Sequence, residues 1–239
     1  MRLWILAALP LAACGSLHGS GSGQSASASG SGSTRNFAVA DFTRVDLRGS
    51  DDVDVVSGPS FAVTAEGDPK VLDELEIVKD GQTLRIGRKH HFSWSWGSHG
   101  SARVHVTMPR LEEANVSGSG AMKVAHAQGD FSGAVAGSGD LDIAGIQGGK
   151  AHLAIAGSGD IVAAGTAEAI DVSIAGSGDV DSRQLKANRG TVSIMGSGSL
   201  RGTVAGPVDV SLAGSGDVEI GGGAKCTVNK MGSGDARCS

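Results

Sequence analysis

The chain has 239 residues, a formal net charge of -5, 39 glycines, no tyrosine and only 3% aromatic residues. That acidic balance excludes a nucleic-acid partner, which needs a basic face. With so few aromatics the interior has to be built from Val, Ile, Leu and Ala, a composition that fits an exported all-β domain better than an enzyme of mixed class.

Residues 1–14 read MRLWILAALPLAAC: one cation at Arg2, an apolar run from Leu3 to Leu11, then Leu11-Ala12-Ala13-Cys14. This is the order of a secretion signal, and the run is too short to span a bilayer. Its ending resembles a bacterial lipobox, so residues 1–13 are expected to be removed and the Cys14 thiol acylated. The competing reading is an ordinary cleaved signal followed by a free cysteine. Several acyl chains on Cys14 would make membrane attachment lasting, which places the protein in the bacterial cell envelope, lipid-anchored at the outer membrane. No other apolar stretch is long enough for a membrane helix. Residues 14–35 are almost entirely Gly, Ser and Ala after the cysteine. They predict a flexible tether with an end-to-end distance of roughly 25 Å.

A single domain is expected over residues 36–239, with cap strands over 36–115 and repeats over 116–239. Within the cap, Val45 and Leu47 precede Gly49-Ser50-Asp51, and Val53 and Val55 follow it. The segment FAVTAEGDP predicts a strand entering a turn, and PKVLDELEIV a short helical turn capped by Asp68. Asp80-Gly81 between LEIV and TLRI signals a hairpin, and ARVHVTMP alternates as a strand leading into the repeats.

Gly-Ser-Gly then begins at Gly118, Gly137, Gly157, Gly176, Gly196, Gly214 and Gly232, with gaps of 19, 20, 19, 20, 18 and 18 residues. Apolar residues keep fixed offsets around it. Val135, Ile155, Ile174, Ile194 and Leu212 lie two before the first glycine, while Leu141, Ile161, Val180, Leu200 and Val218 share one offset beyond the turn. Both arms have period two, so both are strands with one buried face. A single coil buries too little to offset the ordering of about nineteen residues. Stacked coils solve this by pairing each strand above and below and joining the apolar faces into one column. Seven corners predict a body roughly 30 Å long at the inter-strand spacing.

The remaining cysteines, Cys226 and Cys238, flank the last Gly-Ser-Gly. Export favours their oxidation to a disulfide that pins the C-terminal end. Metal ligation or redox use would want a CxxC-like spacing that is absent.

With VDLRGSDDVDVV, DGQTLRI, TMPRLEEANVSGSG and the serial GSGD corners in view, the chain from about Phe37 to its C-terminus resembles the bacterial auto-transporter adhesin head family, the GIN domain. That resemblance implies a right-handed parallel β-helix-like solenoid, here with about 18–20 residues per coil, and an envelope location.

Three candidate chemistries stand beside plainer readings. Asp140, Asp160, Asp179, Asp217 and Asp235 follow their corners. They could bind calcium, but calcium-binding β-rolls repeat every nine residues. The alternative is turn capping, each aspartate accepting a nearby N–H and the serines bonding from coil to coil. In RKHHFSWSWGSHG, Trp94 and Trp96 could stack on a sugar, and His90, His91 and His99 could ligate a metal. An edge strand or hairpin packing Phe92, Trp94 and Trp96 is the competing reading, and adjacent histidines point to opposite faces. The Gly-Ser-Gly corners join strand to strand, so they are neither nucleophile elbows nor phosphate loops.

The expectation is a non-enzymatic envelope scaffold or adhesion surface without cofactor or metal. Its expected contacts are the membrane through the N-terminal lipid and an envelope glycan or protein surface. The alternatives are a polysaccharide-binding or polysaccharide-active β-helix, recognised by a groove of grouped charged side chains, and a structural protein stacking end to end.

Overall fold

The computed structural model describes residues 23–89 and 100–239. Two sheets of 11 and 13 strands run the length of the molecule and face one another across an apolar interior. From Glu113 onward the chain passes from the first sheet, through a Gly-Ser-Gly corner, to the second sheet and back, in about seven stacked turns. All neighbouring strands in this stretch are parallel.

The apolar offsets become columns. In the first sheet Val116, Val135, Ile155, Ile174, Ile194 and Leu212 are direct neighbours, coil above coil. Met122, Leu141, Ile161, Val180, Leu200 and Val218 do the same in the second. Each of these residues is buried. The first sheet keeps its register without a break, whereas the second shifts between Ile143 and Ile146, between Val162 and Ala164, and between Ser182 and Lys186. These bulges absorb the variation in coil length, because an extra residue is tolerated beside the looser return corner and not beside the Gly-Ser-Gly.

The corners stack through backbone. The Gly137 carbonyl accepts both Ser158 N–H at 2.8 Å and Gly159 N–H at 3.1 Å; the corners at Gly196, Gly214 and Gly232 repeat the arrangement, and at Gly176 the Ser177 N–H bonds to the Gly157 carbonyl at 2.8 Å. The first glycine of the triplet is left-handed, φ 140° at Gly157, a region that a Cβ disfavours. The second is hemmed in from below, since a Cβ on Gly178 would overlap the Gly159 carbonyl.

The N-terminal half is built around the same coil. Residues Arg44–Gly49 and Asp52–Ser57 stack directly beneath Glu113–Gly118 and Ala121–Val124. Of the residues that separate these coils in sequence, 58–89 and 100–112 fold underneath them. Thr83–Arg88 and Arg103–Met108 continue the two sheets in parallel, and Leu75–Asp80 and Ala62–Glu66 then close them with antiparallel strands. The hairpin forms at Gly81, φ 58°, and the helical turn Pro69–Glu74 begins with the Asp68 carboxylate accepting Lys70 N–H.

The tether requires a correction. Gln24–Ser25 pairs with Leu75–Asp80, and Ser27–Ser29 pairs with Thr34–Ala38, so residues expected to be coil form edge strands from Gln24 on. Strand addition uses backbone donors and acceptors, which a Ser-Ala sequence supplies as well as an apolar one. Only Ala26 packs against the core.

Candidate functional surfaces

The corner aspartates bond differently from the turn-capping expectation. Asp140 Oδ1 accepts Asp160 N–H at 3.3 Å, Asp160 Oδ1 accepts Asp179 N–H at 2.9 Å, and Asp179 Oδ1 accepts Ser199 N–H at 2.8 Å. Asp217 does the same for Asp235 N–H at 2.9 Å. Each carboxylate therefore caps the coil that follows it, not its own turn. The serines at positions 138, 158, 177, 197 and 215 are exposed, and backbone N–H groups carry the corner-to-corner bonds in place of hydroxyls. Among the described residues no group of three or more His, Cys, Asp or Glu side chains could hold a metal ion.

The outer face of the first sheet carries mostly small side chains beside the corners. Its two columns nearest the corners read Ser117, Ala136, Ala156, Ala175, Met195, Ala213 and Asn115, Ala134, Ala154, Ser173, Ser193, Ser211. The second sheet carries charge outward. His105, Asp54, Lys123, Asp142, Val162, Asp181, Arg201, Glu219 and Arg237 form one column. Opposite charges adjoin along most of it, which parallel in-register strands require if like charges are not to meet. A hydrogen bond from Arg183 holds the Asp181 carboxyl below the usual carboxylate range. Around Arg201, Asp217, Glu219, Asp235 and Arg237 this face dips into a depression of only about 150 Å³, below the usual size of a ligand pocket.

A larger cleft, about 680 Å³, lies on the first sheet where the cap coil diverges. Arg48, Arg85, Arg88 and Lys89 line it, with Glu76 as the carboxylate on its wall. Asp51 holds one of these cations, Arg88, in place. By register it occupies the place that Gly120 takes in the coil above, fully buried. It accepts Arg88 Nη2 at 2.7 Å, Arg88 Nε at 3.1 Å and Ala102 N–H at 2.8 Å. The bond to Asp51 raises the Arg88 pKa. An aspartate in a corner position otherwise held by buried glycine was the one sequence signal of this site. The four cations themselves are unremarkable in sequence.

Of the residues singled out from sequence, Cys14, Trp94 and Trp96, with His90, His91 and His99, lie outside the described residues. Cys226 and Cys238 are brought together with Cα atoms 6.2 Å apart and their sulfurs within bonding distance.

Stacked parallel coils around an aliphatic column define a β-solenoid. Over residues 41–224 the chain matches the family described as putative auto-transporter adhesin, head GIN domain, and it belongs to that family. Its fold is that of a putative adhesin from Bacteroides fragilis, with a TM-score of 0.76 and 18% identity over 86% of this chain and 96% of that one. A putative lipid binding protein from Parabacteroides distasonis has a TM-score of 0.67 and 20% identity over 86% and 96%. A putative adhesin from Parabacteroides merdae has a TM-score of 0.61 and 18% identity over 87% and 95%. No curated protein matches the chain.

Proposed function

We propose that this protein is a bacterial envelope lipoprotein, anchored through Cys14 at the outer membrane, whose solenoid is a non-enzymatic scaffold presenting a binding or adhesion surface. The observation that carries this reading is the outer face of the first sheet, where Ala and Ser repeat in register between Asn115 and Ala213, with Met195 the one large exposed side chain in the two columns. A regular array of small side chains offers many equivalent shallow contacts along its length, as an extended surface partner needs. Membership of an adhesin head family supports the same reading. A polysaccharide-active enzyme would place two carboxylates across a groove. The large cleft carries Glu76 alone among four cations.

Metabolic labelling with a fatty acid should mark the wild type and not Cys14→Ser. In glycan-array binding with the full chain, Trp94→Ala/Trp96→Ala should lose any sugar recognition made by that segment. Hydrolysis of an envelope polysaccharide by the purified protein would overturn the scaffold reading.

A further inference from the structure

The last coil covers the interior without adding to it. The five inward side chains beneath it, Val208, Val210, Leu212, Val218 and Ile220, are each 1% exposed. By register the positions directly above them are Cys226, Val228, Lys230, Ala236 and Cys238. None of these is fully buried: Val228 and Lys230 are exposed, and the other three are half-buried. Main-chain pairing on one side therefore supplies most of what holds Lys225–Gly232 and Ala236–Cys238 in place.

The Cys226–Cys238 bond supplies the remaining restraint. Cys226 stands over Val208 in the first sheet and Cys238 over Ile220 in the second, so the bond crosses the end of the interior and ties the two strands of the last coil into one closed unit. The corner leading into this unit is Gly221-Gly222-Gly223, the one run of three glycines in the chain, with φ 92° at Gly222 and 85° at Gly223. Residues without Cβ absorb a change of chain direction at low steric cost, as a hinge requires.

What lies under the coil differs from what lies on it. Lys230, whose ammonium sits 3.5 Å from Asp235, is the inward charge of the present end, and it leaves with the coil. The five side chains it helps to cover carry no charge. Uncovered, they form an apolar face between two unpaired strand edges, Pro207–Gly214 and Val218–Gly221, which is the arrangement that pairs with another edge. An eight-residue strand is about 26 Å long and two packed sheets with their side chains are about 20 Å deep, so the face measures roughly 500 Å² on each copy. Two such faces reach only the lower limit of a specific interface. A two-fold axis along the sheet normal lays each edge strand antiparallel on its own copy and closes the assembly at two, because antiparallel strands already close the other end of the solenoid.

We propose that the cystine is a redox latch on a self-association surface: reduction lets the last coil swing away on its glycine hinge, and the uncovered end pairs with the same end of a second copy. The reductant is a dithiol. One of its thiolates attacks a cysteine sulfur, the other cysteine leaves as a thiolate and takes up a proton, and the second reductant thiol then displaces the first cysteine and closes the reductant's own disulfide. Two electrons pass from the dithiol to the cystine. Neither the latch nor its test depends on acylation of Cys14.

Full-length Cys14→Ser, whose only cysteines are those of the latch, is followed by analytical ultracentrifugation in the oxidised state and after dithiothreitol. The oxidised protein should sediment as a monomer, and the reduced protein as a dimer at roughly 100 μM that dissociates on dilution, as a contact of this size requires. Cys226→Ser/Cys238→Ser should dimerise without reductant, and reoxidation of Cys14→Ser should restore the monomer. In the dimer, amide exchange should be fast over 225–238 and slow over Pro207–Gly214. Lys230→Leu should leave the dissociation constant of the reduced dimer unchanged, since its side chain has left the contact. A reduced protein or double-serine variant that stays monomeric overturns the proposal. So does a reduced dimer whose last coil keeps its amide protection, one that Lys230→Leu tightens, or a reduction that also exposes the strands near Leu153, because association would then start from a different surface or from unfolded chains.

Discussion

Individual positions in this solenoid are constrained by the coil beneath them. At the second glycine of a corner there is no room for a methyl group: a Cβ on Gly178 would strike the backbone of Gly159 and approach Ile155. Gly178→Ala should therefore cost about 3 kcal/mol, at the upper end of overpacking effects, read as a lower urea midpoint. At Asp160 the acceptor matters and the charge does not. Asp160→Ala orphans the Asp179 N–H and should cost about 1 kcal/mol. Asp160→Asn keeps an oxygen in place and should leave the midpoint within experimental error. Asp181 adds a pH signature. Its folded pKa is depressed by the bond from Arg183, so its contribution is present above the ordinary carboxylate range and is lost as pH falls through the depressed value. Asp181→Asn should lower the neutral plateau of a stability–pH profile and flatten its acid limb, so that variant and wild type converge at low pH.

At the scale of elements, each strand is held by its neighbours above and below, and the last coil has a neighbour on one side only. Lys225–Gly232 is exposed along nearly its whole length, and Ala236–Cys238 ends the second sheet. The Cys226–Cys238 pair links these two terminal strands across the end of the interior. A closed loop of this size is worth about 3 kcal/mol. Reduction should speed hydrogen exchange in the last coil while leaving strands near Leu153 protected. Uniform loss of protection would mean that the stack unfolds as one unit. The repeating strands were legible in the sequence because parallel stacking without register shift turns a spacing of 18–20 residues directly into spatial adjacency. The second-sheet bulges were not, since nothing local distinguishes Ala163 or Ser182 from a residue in regular pairing.

The whole molecule is asymmetric. Antiparallel strands and the turn Pro69–Glu74 close one end, whereas the other presents open strand edges with Val228 and Met231 exposed. Open edges invite association, and an inward charge is one defence. Lys230 supplies it: by register it continues the column of Ile194 and Leu212, yet its ammonium lies 3.5 Å from Asp235. Lys230→Leu should complete an apolar end and produce dimers or higher species in analytical ultracentrifugation, with the wild type remaining monomeric. Wild-type end-to-end chains would remove this role for Lys230 and favour a filament-forming protein.

The primary structure by itself determined the coil, its corner and both apolar columns, because each depends on a periodic pattern read at short range. It also singled out the two terminal cysteines that the fold brings together. Only the tertiary structure decided how residues 58–89 and 100–112 fold beneath the first coil, that part of the Gly-Ser segment joins the sheets as edge strands, and where the stack of corners ends. That ending opens the cleft, and its walls come from segments near Gly23, Arg48, Glu76 and Arg88. No period relates those segments, and they meet only because a non-repeating insertion closes one end of a repeating body.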